Sequence, residues 1–494
     1  DQLQPGEPAA DHHHGGVLQL LVGLADRCGH AGPKIAQIRP VAPHRMLDQD
    51  TICALATPPG AGAIAMLRLS GPDTLRIARA CSDLRRNIAT RAAYFCRFHD
   101  ADGAIDEGLL TWFKAPASYT GEDVVELGIH GSPYIAQRLL EALTAQGARL
   151  AKPGEFTLRA YLNRKLDLSQ AEAVADLIAS QSAAAHKLAL QQLRGGYSER
   201  IEDLRQQLID FCALIELELD FSEEDVEFAR RDQLLLLLND LIAICEDLIR
   251  SFRFGNAMKR GVPVAIIGAP NSGKSTLLNA LLREDRAIVS DIPGTTRDTI
   301  EEVITLDGVA FRFIDTAGIR NTEDTVEKLG IERSYQKARE ADIVVLLGDA
   351  SVLSEGAFAM QARLLRERVG DGPMIVPVLN KRDLPGVAPP QGLLAISART
   401  GAGLDELRAL FLQHVRALQG EGADIVVTNA RHVEALTRSR EALLDARQGL
   451  LDGIGGELLA VELRRAQLHL GEITGRITPD DLLGSIFGRF CIGK

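Results

Sequence analysis

The sequence contains no Cys-x-x-Cys pair, no apolar run of membrane-spanning length and no excess of positive charge. Its seven cysteines, at 28, 53, 81, 96, 212, 245 and 491, are scattered and odd in number. That pattern excludes a disulfide framework and a paired-cysteine zinc site, and it suits a reducing, cytoplasmic compartment. The stretch Val17–Ala25 is far too short to cross a bilayer, so no membrane role is expected. A net charge of −12 argues against a broad basic face for nucleic acid. Any such contact should be local or shared with a partner. Basic residues do collect at Arg250, Arg253, Lys259 and Arg260, where a solvated helix end explains them equally well.

What remains is the composition of an ordinary globular protein, 46% hydrophobic and 25% charged, and 494 residues suggest about three domains. Residues 1–45 are rich in Gly, Pro, His and Asp and precede Met46. They read as a disordered or non-native extension, and His12, His13 and His14 are not expected to bind metal. From Asp50 to about Asn163, short β-rich runs (Ile52–Ala56, Ala63–Leu69, Ala92–Phe98, Leu109–Phe113, Val124–Ile129) mix with a helix over Pro133–Gln146. From Leu166 the periodicity is helical, and Ser169-Gln-Ala-Glu172 reads as the capping box of its first helix. The pattern continues through Arg194–Glu218 and Arg231–Phe252, stops at Gly261, resumes near Asn429 and runs to Gln467.

The gap in that pattern holds the most informative motif. Gly268-Ala-Pro-Asn-Ser-Gly-Lys-Ser275 fits Gly-x4-Gly-Lys-Ser, between an apolar strand, Val262–Ile267, and a helix beginning near Thr276. Its backbone N–H groups, from Asn271 through Ser272, Gly273, Lys274, Ser275 and Thr276, suit nucleotide phosphates at a helix N-terminus. Lys274 would reach the β- and γ-phosphates, and the Ser275 hydroxyl would hold Mg2+. Phe311–Ile314 leads into Asp315-Thr316-Ala317-Gly318, whose acid reaches the metal through water and whose glycine approaches the γ-phosphate. Met374–Leu379 leads into Asn380-Lys381-Arg382-Asp383. A carboxylate such as Asp383 accepts from guanine N1–H and the exocyclic amine together, a pair of donors adenine does not present. Ser397, Ala398 and Arg399 follow a further strand, where backbone amides meet the guanine oxygen. The ordered set points to GTP. One copy of each box excludes a tandem arrangement and leaves a GTPase unit interrupting a helical domain.

Ras-like GTPases orient water with a glutamine directly after Asp-x-x-Gly; Ile319 stands there instead. Other residues must then position water and compensate charge. Asn271 offers a hard oxygen ligand within the phosphate loop. The run Ser290, Asp291, Ile292, Pro293, Gly294, Thr295 and Thr296 supplies two threonines, one for Mg2+ and one for a second cation. Glu327 lies in a polar segment able to cover the γ-phosphate. On chemistry alone a solvated loop accounts for these residues as well.

The chain ends Asp480-Asp-Leu-Leu-Gly-Ser-Ile-Phe-Gly-Arg-Phe-Cys491-Ile-Gly-Lys494, and it also carries Thr57-Pro-Pro-Gly60, Ser118-Tyr-Thr-Gly-Glu-Asp-Val-Val-Glu126, Lys152-Pro-Gly-Glu-Phe156 and Lys165-Leu-Asp-Leu168. With the nucleotide motifs, these resemble the bacterial tRNA-modification GTPase family MnmE (TrmE), from about Asp50 to Lys494. Gly493 and Lys494 argue against prenylation of Cys491, and a thiol so near a chain end is expected to be accessible and reactive.

The resemblance implies a multidomain α/β fold: a P-loop, Ras-like GTPase domain inserted in an α-helical domain and preceded by an α+β tetrahydrofolate-binding-like domain that forms a homodimer. The implied boundaries are 46–163, 164–260, 261–424 and 425–494. It further implies K+-dependent hydrolysis, with K+ on Asn271, Ser290, the Ile292 carbonyl and Thr295, Mg2+ on Ser275 and Thr296, and water positioned by Glu327. Arg68, Glu126, Lys165 and Lys494 would contact a methylene- or formyl-tetrahydrofolate. Acidic Glu126 suits pterin N–H donors, and the cations suit folate carboxylates. The flavoprotein MnmG (GidA), using FAD and NADH, would be the partner, C5 of the tRNA wobble uridine the target, and Cys491 a participant in that chemistry. Ala61, Gly128, Ile129 and Ser132 depart from the family pattern around the folate motifs. An RNA-binding ribosome-assembly GTPase is the alternative, although no Gly-x-x-Gly loop sits in a suitable context. A signalling switch would leave Phe490–Lys494 and the N-terminal motifs without a use.

Overall fold

A computed structural model describes residues 50–220, 231–285, 302–314, 335–385, 392–419, 425–477 and 480–494. The segment 1–45 lies outside them. The N-terminal part runs β1 (Ile52–Leu55), β2 (Ile64–Ser70), α1 (Thr74–Ala80), β3 (Ala93–Asp100), β4 (Gly103–Phe113), β5 (Val124–His130), α2 (Pro133–Ala145), β6 (Arg149–Leu150) and α3 (Glu155–Leu162). Its six strands form one sheet in the order β3-β4-β5-β2-β1-β6, antiparallel except where β1 meets β6. Alternation decides which face is covered. Cys96, Phe98, Leu110, Leu127, Ile129, Leu67 and Leu69 are buried beneath α1 and α2, with Ile77, Leu139 and Leu143 among the helical partners. The expected strand starting at Leu109 begins at Gly103 instead. Gly103–Gly108 carries few apolar residues, and cross-strand pairing, including Arg97 with Glu107, extends it into a hairpin.

Next come α4 (Leu168–Ala179), α5 (Ala183–Leu193), α6 (Gly196–Asp220) and α7 (Arg231–Arg260). The cap of α4 differs from the expected Ser169–Glu172 box. Asp167 is the N-cap, accepting from the Gln170 N–H at 2.8 Å, while Gln170 Oε1 accepts from the Asp167 N–H at 2.9 Å. Ser169 is buried in the first turn. Glu172 is drawn away to a tertiary partner, Arg431, at 2.9 Å. At its C-terminal end α7 gives way to Gly261 at φ 81°, a left-handed stop suited to glycine.

The second sheet follows, as β7 (Val262–Ile267), α8 (Lys274–Asp285), β8 (Glu302–Leu306), β9 (Val309–Phe313), β10 (Ile343–Asp349), α9 (Glu355–Val369), β11 (Met374–Asn380), β12 (Leu394–Ala395) and α10 (Leu404–Gln419). The strand order is β12-β11-β10-β7-β9-β8, all parallel except β8 against β9. Because the chain leaves β7 toward opposite sides of the sheet, the loop after β7 sits at a topological switch point, where open α/β sheets bind ligands.

The chain then returns to helices α11 (Ala430–Leu451), α12 (Gly456–Thr474) and α13 (Asp480–Phe487). Helices α6, α7, α11 and α12 share one core, including Leu204, Leu208, Leu238, Leu241, Leu443 and Leu463. The parallel sheet is therefore an insertion within a helical body. Leu188 of α5 packs into the sheet core with Phe311 and Val309, tying the two together. Three of the four basic residues singled out along α7 are paired: Arg250 with Asp247, Arg253 with Asp342 and Lys259 with Asp176.

Candidate functional site

The phosphate loop follows buried β7, and its backbone takes conformations set by residue type. Asn271 stands at φ 63° and Gly273 at φ 99°. Side chains rarely occupy the latter conformation, and a Cβ on Gly273 would strike Asn380 Nδ2. Helix α8 begins at Lys274, so its first-turn N–H groups face the loop. Lys274 Nζ donates to the carbonyls of Gly268 at 2.8 Å and Ala269 at 3.0 Å, and burial lowers its pKa.

Two further loops close on this one at the carboxyl ends of β11 and β12. Asn380 Nδ2 donates to the Ser272 carbonyl at 2.9 Å, and its Oδ1 accepts from the Ala398 N–H at 2.9 Å. Asn380 and Ser272 are both buried. Asp383 Oδ1 accepts from Ser397 Oγ at 2.7 Å, and Oδ2 pairs with Arg399 at 2.8 Å. The Ser397 hydrogen bond, with help from Arg399, lowers the Asp383 pKa and keeps it an acceptor. Ser397 Oγ also accepts from the Thr400 N–H at 3.2 Å. The structure thus brings together Ser272, Gly273, Lys274, Asn380, Asp383, Ser397, Ala398 and Arg399. Ser275 and Thr276 open α8, and Lys381 lies between Asn380 and Asp383. Ser290 to Thr296, Asp315 to Gly318 and Glu327 lie outside the described residues.

A second constellation forms where the chain end meets the N-terminal sheet. Arg68 on β2 stands opposite Glu126 on β5, donating to Glu126 Oε1 from Nε at 3.0 Å and Nη2 at 2.7 Å. Its Nη1 donates to the Gly493 carbonyl at 3.3 Å, across 425 residues of chain. Its guanidinium also lies over the rings of Tyr119 and Phe156, at 5.6 and 5.9 Å. Phe487 and Phe490 anchor the tail against Leu168, Ala171 and Val174 of α4. Lys494 is held near this site, where burial first, and then the Arg68 charge, lowers its pKa. Cys491 is exposed, as expected. Lys165 is exposed, its stem beside Gly121. Of the residues departing from the family pattern, Ile129 is core, Gly128 pairs in register with Met66 and Leu109, Ser132 precedes α2 and Ala61 is exposed.

Sequence reasoning did not single out Tyr119 and Phe156 as partners of Arg68, although both lie within the quoted motifs. It also missed Asp349, whose signal was an acid ending the apolar strand Ile343–Gly348. Among the described residues no group of His, Cys, Asp and Glu is arranged to hold a metal, and no helix is long and apolar enough to cross a membrane.

The family model described as the MnmE helical domain matches residues 168–491, and that described as the GTP-binding protein TrmE N-terminus matches residues 51–165. The chain belongs to the MnmE family of tRNA modification GTPases. A tRNA modification GTPase MnmE from Christiangramia forsetii is 48% identical over 472 residues, covering 90% of this chain and 99% of that protein. The MnmE of Porphyromonas gingivalis is 48% identical over 468 residues, covering 90% and 98%. A solved Aquifex aeolicus Era variant bound to GDP and AlF4- is 27% identical, covers 37% of this chain and 67% of that one, and has a TM-score of 0.24. The MnmE architecture here is a multidomain α/β one: a P-loop GTPase unit set into an α-helical domain behind an α+β domain.

Proposed function

We propose that this chain couples K+-dependent GTP hydrolysis to modification of the wobble uridine of tRNA. It acts with an MnmG (GidA) flavoprotein that carries FAD, and it adds an aminomethyl or carboxymethylaminomethyl group at C5. The observation that carries this reading is the meeting of Arg68 with the Gly493 carbonyl, which places the Cys491 tail beside Glu126 and Lys494. A GTPase that only switched RNA binding would have no use for that constellation. Arg68, Glu126 and Lys494 suit a methylene- or formyl-tetrahydrofolate, Glu126 toward pterin N–H donors and the cations toward its carboxylates. Lys165, exposed with its stem beside Gly121, is assigned to the same set.

In the GTPase unit Lys274 stabilises the phosphates, and Asp383 reads guanine. Ser275 and Thr296 are assigned to Mg2+, with Asp315 acting through water. Asn271, Ser290, the Ile292 carbonyl and Thr295 are assigned to K+, which supplies positive charge toward the phosphates in place of an arginine finger. Glu327 is assigned the attacking water in place of the glutamine replaced by Ile319. We further assign the domains to 46–163, 164–260, 261–424 and 425–494, the protein to the cytoplasm, and the N-terminal sheet to a homodimer. Phe95 and Leu109, paired across strands and 63% and 48% exposed, support that last assignment.

The test is GTP turnover in KCl and in NaCl at equal ionic strength, beside nucleoside analysis of tRNA from cells lacking the protein. Faster turnover in KCl and loss of the wobble modification are expected. Equal rates in the two salts would remove the cation assignment, and unchanged tRNA would remove the modification role.

A further inference from the structure

We propose that Asp349 is a positioning residue for guanine-nucleotide recognition, acting through Lys381, whose ammonium it holds in place beside the base-reading box. The inference rests on reading Asn380, Lys381 and Asp383 as the base site.

Strand β10 ends at Asp349, directly opposite Asn380 in the parallel register, and the Ala350 N–H donates to the Asn380 carbonyl at 2.9 Å. Asp349 is therefore fixed to the strand that carries the base site. Its Oδ1 accepts from the Ser351 N–H at 2.9 Å and from Ser351 Oγ at 2.6 Å. Its Oδ2 accepts from Lys381 Nζ at 2.6 Å. Both oxygens are thus engaged, and the Asp349 side chain is only 18% exposed against 32% for Lys381. A pair so shielded is screened less than a surface pair.

Lys381 stands at φ 69°, an uncommon conformation for a non-glycine residue. Its long cationic side chain reaches Asp349 on the neighbouring strand. Left without that partner, the ammonium would be free to sample other rotamers beside the base-reading box. The two acids keep separate partners, Lys381 for Asp349, and Ser397 with Arg399 for Asp383. Lys381 is also ordered before nucleotide arrives, so its rotamer entropy is lost on folding and not on binding.

The experiment titrates GDP into the full chain and measures steady-state GTP hydrolysis for the wild type, Asp349→Asn, Lys381→Met, the double variant and Asp383→Asn. Asp349→Asn is expected to raise the GDP Kd by about fivefold, as for a partly shielded ion pair, with kcat at saturating GTP unchanged. In the Lys381→Met background the same substitution should add nothing, because the ammonium that Asp349 holds is gone. Wild-type GDP affinity in Asp349→Asn overturns the proposal. So does an equal loss in the Lys381→Met background, which would show Asp349 acting on strand packing alone. Asp383→Asn separates the underlying reading. A shift of preference to xanthosine diphosphate leaves the base site standing, whereas full GDP affinity would remove that site altogether.

Discussion

Asn380 and Ser272 are 108 residues apart in sequence and joined by a hydrogen bond of 2.9 Å, from Asn380 Nδ2 to the Ser272 carbonyl. The same side chain accepts the Ala398 N–H, so one amide locks three loops at a single edge of the parallel sheet. Asn380→Ala would leave a buried carbonyl and a buried N–H without partners, at about 1–3 kcal/mol each. GDP affinity should fall by about tenfold or more, with a lower melting temperature. Calorimetric titration giving wild-type affinity would show that the three loops hold together without Asn380.

Gly273 makes that lock possible, because at φ 99° any Cβ would run into the Asn380 amide. Gly273→Ala should abolish detectable nucleotide binding. Gly372→Ala, where an added Cβ meets nothing within 4 Å, serves as the control and should bind normally. Similar losses in both variants would point to general destabilisation.

Glu172 joins the two halves of the helical body. Arg431, 259 residues away, donates to it from Nε and Nη2 at 2.9 Å, and His432 Nε2 lies 2.7 Å from Oε2. Burial pushes the Glu172 carboxyl up, but His432 and Arg431 outweigh it and hold the pKa at about 2, below the ordinary glutamate value of 4.5. A depressed carboxylate pKa stabilises the fold above the unfolded value and loses that contribution as pH falls through the folded value. The stability this carboxylate contributes should therefore be present above pH 4.5 and drain away toward pH 2. Glu172→Gln should melt well below wild type at pH 7, with the gap narrowing as pH falls toward 3. A gap independent of pH would show that the pairing is not titrating.

Cys491 is exposed on a tail whose Gly493 carbonyl is bound by Arg68, far in sequence from the phosphate loop. Cys491→Ser should keep GTP hydrolysis near wild type while lowering or abolishing wobble-uridine modification, because a hydroxyl is a poorer nucleophile and proton donor than a thiol near neutral pH. Phosphate release from the purified variant and nucleoside analysis of tRNA from complemented cells decide it. Normal modification would make the thiol incidental, and lost GTPase activity would couple the tail to the nucleotide site.

Local chemistry was enough for some of this to be read directly from the sequence. The phosphate loop was legible because it demands glycine at a left-handed position and an apolar strand before it, and Val262–Ile267 emerged with the expected bounds. The Asn380–Asp383 box was legible because it follows a second apolar strand, Met374–Asn380. The interruption of the helical body was legible because the periodicity stops at Gly261 and returns near Asn429, where α11 is capped by Asn429. Tertiary structure alone decided which partner each charge takes. Ser169-x-x-Glu172 and Asp167-x-x-Gln170 both satisfy the local rule for a helix start, and the cap fell to Asp167 because Glu172 is claimed by Arg431 from the far side of the insertion. Arg68 could have been a surface ion pair until the chain end folded back to give it the Gly493 carbonyl. Asp349 came to notice only when the register of β10 and β11 set it beside Asn380 and Lys381. Backbone conformation and hydrophobic periodicity are properties of neighbouring residues, so sequence carries them. The pairing of distant charges depends on which elements the cores bring side by side, and it exists only once they have packed.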